Sequence, residues 1–257
     1  MNMEINKCYN ENCLDTMARM PNNFIDLTVT SPPYDNLRAY NGYSFDFESV
    51  AKELFRVTKQ GGVVVWVVGD ATIKGSETGT SFRQALYFKE IGFNLHDTMI
   101  YQKQTPIPQF KSGRYTGAFE FMLVLAKGRP KTTNLITEPT KCGGRVDTNY
   151  RGQVTADERY VGRETKTVKA EKLKSNVWTF SQNNGIDRSI KHKAQFPEQL
   201  AADHIISWSN EGDLIYDPFL GSGTTAKMAI LNQRNWIGSE ISKEYCEIAE
   251  KRINENL

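Results

Sequence analysis

The chain has 257 residues, of which 39% are hydrophobic and 24% are charged, and its formal net charge is +2. This composition is typical of a folded globular protein and excludes a mainly disordered chain. No apolar stretch approaches the roughly 18 residues that a membrane-spanning helix needs, and the N-terminal residues lack the pattern of a signal peptide. We therefore expect a cytoplasmic protein that has no contact with a membrane.

The four cysteines, Cys8, Cys13, Cys142 and Cys246, are scattered along the chain. They form no Cys-x-x-Cys pair, so their spacing indicates neither a zinc site nor a disulfide framework. We expect free thiols in a reducing compartment, and no metal.

The first 128 residues alternate between strand and helix patterns. Apolar, β-branched runs predict buried strands, and apolar positions at helical spacing predict amphipathic helices. The predicted strands are 24–30, 61–70, 95–103 and 119–128, and the predicted helices are 49–59 and 81–93. This alternation predicts a mostly parallel sheet flanked by helices.

Residues 129–185 interrupt that pattern. Apolar runs vanish apart from a short predicted strand at 175–180, while Gly, Thr, Asn, Lys and Arg accumulate. Residues 127–193 hold 15 Lys and Arg against 7 Asp and Glu, whereas the rest of the chain is mildly acidic. A long segment without a core inside a compact enzyme is usually a functional insertion. Its charge predicts contact with a polyanion, and a solvated surface region is the alternative.

The pattern of strands and helices returns at residue 196. A helix is predicted at 196–209, a strand–loop–helix–strand unit at 213–242, and a last helix at 243–256. Pro197 stands near the start of the first of these helices, where its missing N–H costs nothing. The chain is therefore expected to complete one α/β domain.

The loop of the 213–242 unit, "DPFLGSGTT", carries Gly221 and Gly223 between a strand and a helix. Glycines there let the backbone approach a ligand, and helix N–H groups can face its polar atoms. Glu240 ends the next strand, where a carboxylate can accept hydrogen bonds from both hydroxyls of a ribose. Asp217 is unfavourable beside phosphate but suits a sulfonium or amino group, and S-adenosylmethionine carries both. The GxGxxA spacing is also compatible with NAD as the ligand, and a structural turn that binds no ligand is the other alternative.

A second motif, "TSPPY" at 30–34, directly follows the first predicted strand. Together with the glycine loop it resembles the [DNS]-P-P-[YFW] and FxGxG motifs of amino-methyltransferases that modify exocyclic amines of DNA bases. The order of elbow, basic region and cofactor loop is similar to that of the family's beta group. The resemblance implies an α/β, Rossmann-like methyltransferase fold with a mostly parallel seven-stranded sheet, circularly permuted around an inserted target-recognition region.

The resemblance also implies how the chain is divided. Residues 1–128 would form the catalytic half of the methyltransferase domain, residues 129–185 the target-recognition insertion, and residues 186–257 the cofactor-binding half. The partner would be double-stranded DNA. Members of the beta group often form homodimers, and the residues of this sequence neither require nor exclude one.

The reaction centre implied by the resemblance is Ser31, Pro32, Pro33 and Tyr34. A base amine is a poor nucleophile because its lone pair is delocalised into the ring. Ser31 Oγ and the Pro32 carbonyl would accept its two hydrogens, and the prolines would hold both acceptors in place. Tyr34 would stack on a base flipped out of the duplex. The structural alternative is a rigid turn.

The cofactor site implied by the resemblance draws on distant segments. Asn12 stands where the family usually has an aspartate beside the adenine, and Phe219 and Phe196 would pack on the cofactor, with core packing as their alternative. The full set is Asn12, Phe196, Asp217, Phe219, Gly221, Ser222, Gly223, Thr224 and Glu240.

Serine at the start of the elbow and the H-x-A-x-F-P pattern at 192–197 resemble family members that methylate cytosine N4. We therefore expect a site-specific cytosine-N4 DNA methyltransferase in a restriction–modification or phage setting. N6-adenine methylation is the alternative within the family. Two other functions were considered. A methyltransferase that modifies a glutamine amide carries its cofactor loop before the elbow, so the motif order here argues against it. A catalytically silent DNA- or cofactor-binding protein would have lost one of the two motifs, and both are present here.

Overall fold

The computed structural model describes residues 3–33, 45–108, 113–150, 164–181 and 197–254. The helices are α1 (Cys13–Arg19), α2 (Phe47–Val57), α3 (Thr80–Glu90), α4 (Glu198–Trp208), α5 (Thr224–Leu231) and α6 (Lys243–Asn254). The strands are β1 (Lys7–Tyr9), β2 (Ile25–Thr30), β3 (Thr58–Val68), β4 (Thr72–Ile73), β5 (Ser76–Glu77), β6 (Asn94–Lys103), β7 (Phe119–Ala126), β8 (Thr137–Pro139), β9 (Val146–Tyr150), β10 (Glu164–Thr167), β11 (Glu171–Leu173), β12 (Val177–Phe180), β13 (Leu214–Asp217) and β14 (Asn235–Ser239).

The central sheet has the strand order β1-β14-β13-β2-β3-β7-β6-β12. Neighbouring strands run parallel except at β7, which is antiparallel to both β3 and β6. The mostly parallel α/β sheet is confirmed, but it has eight strands rather than the expected seven. The strand that the sequence pattern did not predict is β1, which pairs in parallel with β14 at one edge of the sheet.

Strand β3 shows why the apolar runs fold in this way. Every residue from 63 to 68 is buried, as expected for a central strand covered on both faces. Val64, Trp66 and Val68 pack into the core cluster that also holds residues of α1, α2 and α3. The alternate side chains must point to the other face, where α4 packs against β2 and β3. The carboxyl ends of the central parallel strands are thereby left at one edge, between the helices.

The chain divides into two compact units. The first comprises residues 1–134 and 176–257 and contains the central sheet. The second, Leu135–Ser175, contains two antiparallel strand pairs, β8 with β11 and β9 with β10. The predicted insertion, 129–185, includes this unit, and its role in target recognition stays a prediction.

The expectation of free cysteines is wrong for one pair. Cys8 on β1 and Cys246 on α6 form a disulfide, with their Cα atoms 6.4 Å apart, within the usual range. Cys13 and Cys142 are free. The sequence could not reveal this pair, because 238 residues separate its members and only the packing of α6 against β1 brings them together.

No helix within the described ranges is long and apolar enough to cross a bilayer.

Candidate active site

The elbow and the glycine loop leave the sheet side by side. Strands β2 and β13 are parallel neighbours, with Leu27 opposite Ile215 and Thr28 opposite Tyr216. The elbow follows the carboxyl end of β2, and the glycine loop follows the carboxyl end of β13. In open α/β sheets, ligands bind at this edge.

A buried aspartate fastens the two segments to each other. The Thr30 hydroxyl donates a hydrogen bond to Asp217 Oδ1 at 2.6 Å, across 187 positions of sequence. The Thr225 hydroxyl donates to Asp217 Oδ2 at 2.7 Å, and the Phe219 N–H donates to Oδ1 at 3.0 Å. The Asp217 carboxylate thus fixes the end of β2, one residue before Ser31, relative to the glycine loop.

The environment of Asp217 disfavours its charged form. Its side chain is only 2% exposed, and burial raises the pKa of Asp217 from 3.8 to about 6, although the hydrogen bonds from Thr30, Thr225 and Phe219 oppose the rise. The folded protein therefore binds this proton more tightly than the unfolded chain does. Consequently, this group makes the fold less stable as the pH rises from about 4 to about 6.

The variant Asp217→Asn is expected to remove this pH dependence. Asparagine preserves the shape, and its amide can donate to the Thr225 hydroxyl, which then donates to the Val29 carbonyl, 3.2 Å away. The stability of the variant relative to the wild type should rise by up to about 3 kcal/mol between about pH 4 and pH 7. Urea denaturation at several pH values measures it, and a difference that does not vary with pH would contradict the assignment.

The elbow itself is partly accessible. Pro32 is buried, whereas Ser31 and Pro33 are half-buried, so the elbow presents part of its surface outward. Tyr34 lies outside the described residues. A cavity of about 410 Å³ opens beside Pro33, a size typical of ligand sites. Its other lining residues combine aromatic rings with polar groups and are Phe45, Phe47, Glu48, Thr80, Arg83, Gln84 and Tyr87.

The glycine loop requires both of its glycines. Gly221 and Gly223 have φ angles of 53° and 80°, in the left-handed region that side chains disfavour. A Cβ on Gly223 would also lie 3.0 Å from Cβ of Ala249 on α6. The loop is therefore shaped by backbone conformation and by close packing against α6.

The variant Gly223→Ala tests this packing. We expect a loss of stability and at least about a tenfold weaker cofactor affinity, because left-handed strain of about 1–2 kcal/mol is added to a clash that displaces the loop. Gly212→Ala is a matched control, since Gly212 has a φ of 81° and nothing within 4 Å of its Cβ position. Thermal unfolding and ligand titration of both variants measure the difference. Equal effects in the two would show that packing against Ala249 is unimportant.

Glu240 closes the site from the next strand. Its Oε2 accepts the Gly221 N–H and its Oε1 the Ser242 N–H, both at 2.8 Å. It is 8% exposed, and burial raises the pKa of Glu240 while these N–H groups oppose the rise. Each carboxylate oxygen has a further lone pair for a ligand hydroxyl.

The sequence was compared with models of known families. The model of the N6_N4_Mtase family, described as DNA methylase, matches residues 25–251. The chain belongs to this family of DNA amino-methyltransferases. Its α/β architecture is accordingly the methyltransferase fold that the two motifs predicted.

Two curated relatives extend over most of the methyltransferase. The orphan methyltransferase M.BamHII of Bacillus amyloliquefaciens is 55% identical over 241 residues, covering 89% of this chain and 88% of the relative. The type II methyltransferase M.MthZI of Methanothermobacter thermautotrophicus is 29% identical over 296 residues, covering 98% and 77%. Both relatives are therefore similar to this chain along nearly its whole length.

Solved structures share the fold of the methyltransferase. The PvuII DNA methyltransferase, described as cytosine-N4-specific, superposes with a TM-score of 0.72 at 22% identity, covering 97% of this chain and 90% of that one. A DNA modification methylase of Thermus thermophilus, in complex with S-adenosylmethionine, gives a TM-score of 0.67 at 21% identity, covering 97% and 93%. S-adenosylmethionine is the cofactor of the family to which this chain belongs.

The groups around the glycine loop are of the chemical types that can bind this cofactor. The first N–H groups of α5 have no partner one turn earlier in the helix, and Glu240 retains lone pairs for hydroxyl groups. Phe219 is half-buried, with its ring 5.4 Å from Phe45 and 6.2 Å from Trp66. Phe219 therefore belongs in part to the core, the alternative that the sequence left open.

The N-terminal segment of the methyltransferase lies beside Glu240. The Glu240 N–H donates to the Tyr9 carbonyl at 3.0 Å, and the side-chain amide of Asn10 donates to the Glu240 carbonyl at 2.9 Å. Asn12, two residues further on, accepts the Leu14 N–H through Oδ1 at 2.9 Å and thereby caps α1. Phe196 lies outside the described residues.

Three contributors to the site were missed from the sequence. Thr30 and Thr225 stand inside the two motifs, and a buried aspartate without a nearby cation would have indicated such hydroxyl partners. Arg252, near the end of α6, donates hydrogen bonds to Ser222 and Thr224. No motif or spacing in the sequence marks Arg252.

Proposed function

We propose that this DNA amino-methyltransferase transfers the methyl group of S-adenosylmethionine to N4 of cytosine in double-stranded DNA. The observation that supports the proposal is the hydrogen bond between Thr30, the residue before Ser31, and Asp217, the residue that begins the glycine loop. Serine as the first elbow residue and the H-x-A-x-F-P pattern at 192–197 favour cytosine.

The proposed role of the elbow is to activate the amine. S-adenosylmethionine supplies the electrophilic methyl group. Ser31 Oγ and the Pro32 carbonyl accept one amine hydrogen each, which draws the nitrogen toward tetrahedral geometry and frees its lone pair. Because Pro32 and Pro33 restrict the backbone, both acceptors are oriented before the base arrives. The cavity beside Pro33 gives a planar ring room next to the elbow, and Tyr34 would stack on it.

The proposed cofactor contacts divide into direct and indirect ones. Glu240 receives the ribose hydroxyls on its remaining lone pairs. Asp217 acts through the loop, because its side chain is almost fully buried and three internal donors occupy it. The residues that shape or cover the cofactor site are Asn12, Phe196, Phe219, Gly221, Ser222, Gly223 and Thr224.

DNA binding is assigned to the basic part of the chain. The unit Leu135–Ser175 carries exposed basic side chains, which supply the salt-dependent, sequence-independent part of DNA affinity. We propose a cytoplasmic enzyme of restriction–modification type that acts at a specific sequence. Self-association is a further expectation from the family, and analytical ultracentrifugation tests it.

The target base is tested with labelled cofactor. The protein is incubated with S-adenosylmethionine labelled on its methyl group and with unmodified genomic DNA, which is then digested to nucleosides. Label on N4-methyldeoxycytidine is the expected result. Label on N6-methyldeoxyadenosine would show that the target base is adenine rather than cytosine. Cofactor binding without labelled DNA would indicate a catalytically silent protein.

A further inference from the structure

A buried arginine on the last helix contacts the glycine loop from outside the motif. Arg252 is 6% exposed. Its Nη1 donates to the Ser222 carbonyl and hydroxyl, both at 3.2 Å, and to the Thr224 hydroxyl at 3.0 Å. These acceptors flank Gly223, so one guanidinium nitrogen holds the loop on both sides of that glycine.

The same guanidinium also contacts the start of helix α4. Arg252 Nη2 donates to Glu198 Oε1 at 2.5 Å, and Glu198 begins α4, directly after Pro197. Lys227 Nζ donates to the same carboxylate oxygen at 2.8 Å. Two cations therefore share one carboxylate, and the Arg252 charge is balanced in part by the loop oxygens. A buried cation needs such compensation to remain in place.

The geometry requires an arginine rather than any cation. A guanidinium presents its donors in a rigid plane, so one group can serve the loop and Glu198 simultaneously. The ammonium of a lysine is a single centre on a flexible stem and cannot serve both sets of acceptors in this way. Ala249, three residues before Arg252, packs against Gly223. Helix α6 thus holds the loop through the apolar contact of Ala249 and the hydrogen bonds of Arg252.

We infer that Arg252 is a positioning residue for cofactor binding, acting through Ser222 and Thr224. It keeps the loop in the conformation in which the Gly221 N–H meets Glu240. Glu198 anchors the guanidinium and connects the loop with the start of α4. This inference concerns affinity for S-adenosylmethionine and is independent of which base the enzyme methylates.

The test measures the dissociation constant for S-adenosylmethionine by calorimetry in the absence of DNA. For Arg252→Met, which keeps much of the side-chain volume, we expect at least about a tenfold increase, because charge-assisted bonds to the loop are lost. For Arg252→Lys we expect a smaller increase. Lys227→Met is the matched control, since it also removes a cation from Glu198 but its side chain makes no hydrogen bond with Ser222 or Thr224 among the described residues.

The control should change the dissociation constant less than about threefold. Measurements are made well below the unfolding temperature of each variant, so that a purely structural loss does not register as weak binding. Wild-type affinity in both Arg252 variants would overturn the inference, and so would an equal loss in Lys227→Met. If Arg252→Met does not fold, Arg252→Lys is measured alone. A raised dissociation constant in this variant supports the inference, and wild-type affinity overturns it.

Discussion

Replacement of Ser31 by alanine is expected to reduce the rate of methyl transfer by at least about 100-fold, while the affinity for S-adenosylmethionine stays at the wild-type value. In the proposed mechanism the elbow contributes two acceptors to the amine, and the variant removes one of them. The Pro32 carbonyl remains in place, because the end of β2 is still fastened through Thr30 to Asp217. In the proposed mechanism the Ser31 hydroxyl contacts the amine and not the cofactor, so the loss is expected in the chemical step.

Single-turnover kinetics with saturating cofactor and DNA isolates this step. We expect a reduced rate constant with little change in KM for DNA, the pattern of an interaction that strengthens in the transition state. Ser209→Ala is a suitable control because it also deletes a buried serine hydroxyl, one that bonds to the Ile205 carbonyl at the far end of α4. Full activity in Ser31→Ala would exclude the proposed activation of the amine.

The secondary structure was predictable where burial is continuous. Strands such as β3 lie in the centre of the sheet, so their side chains are apolar on both faces and the run is visible in the sequence. Strand β12 was foreseen as a strand, but its place in the sheet was not. Hydrophobic pattern reports burial, whereas the pairing of β12 with β6 depends on contacts between residues 77 positions apart, such as Thr179 and Gln102.

The sequence marks candidate site residues, but it does not reveal the hydrogen bonds between them. Motif chemistry pointed to Gly221, Gly223 and Glu240, and the structure brings the Gly221 N–H to the Glu240 carboxylate. For Asp217, predicted to lie near the cofactor, the sequence did not reveal the hydrogen bonds by which it joins β2 to the loop. Which partner a buried carboxylate receives is decided by tertiary packing, and a linear sequence carries no direct record of that choice.

Arg252 shows the same limit more strongly. In the sequence, Arg252 looks like many surface arginines near the end of a helix, where a cation interacts favourably with the helix dipole. Only the packing of α6 against α5 turns it inward and gives it the loop oxygens as acceptors. Such residues are best found from the partners of motif atoms rather than from the motifs themselves.

The largest effect on cofactor affinity is expected from Glu240→Ala. The variant deletes the acceptor for the Gly221 N–H and for the Ser242 N–H, and an unsatisfied buried donor costs about 1–3 kcal/mol. It also removes the group proposed to receive the ribose hydroxyls. Since about 1.4 kcal/mol corresponds to a factor of ten in affinity, we expect the dissociation constant for S-adenosylmethionine to rise at least about 100-fold.

Glu240→Gln should fall between the wild type and the alanine variant. Its amide oxygen can still accept one of the two N–H groups, but its NH₂ group faces the other donor without an acceptor. Glu250→Gln on α6 is the control, because that side chain is exposed. Equilibrium dialysis with labelled cofactor ranks the three variants. A change below about threefold in Glu240→Ala would mean that the ribose is held elsewhere and that the loop keeps its conformation without this carboxylate.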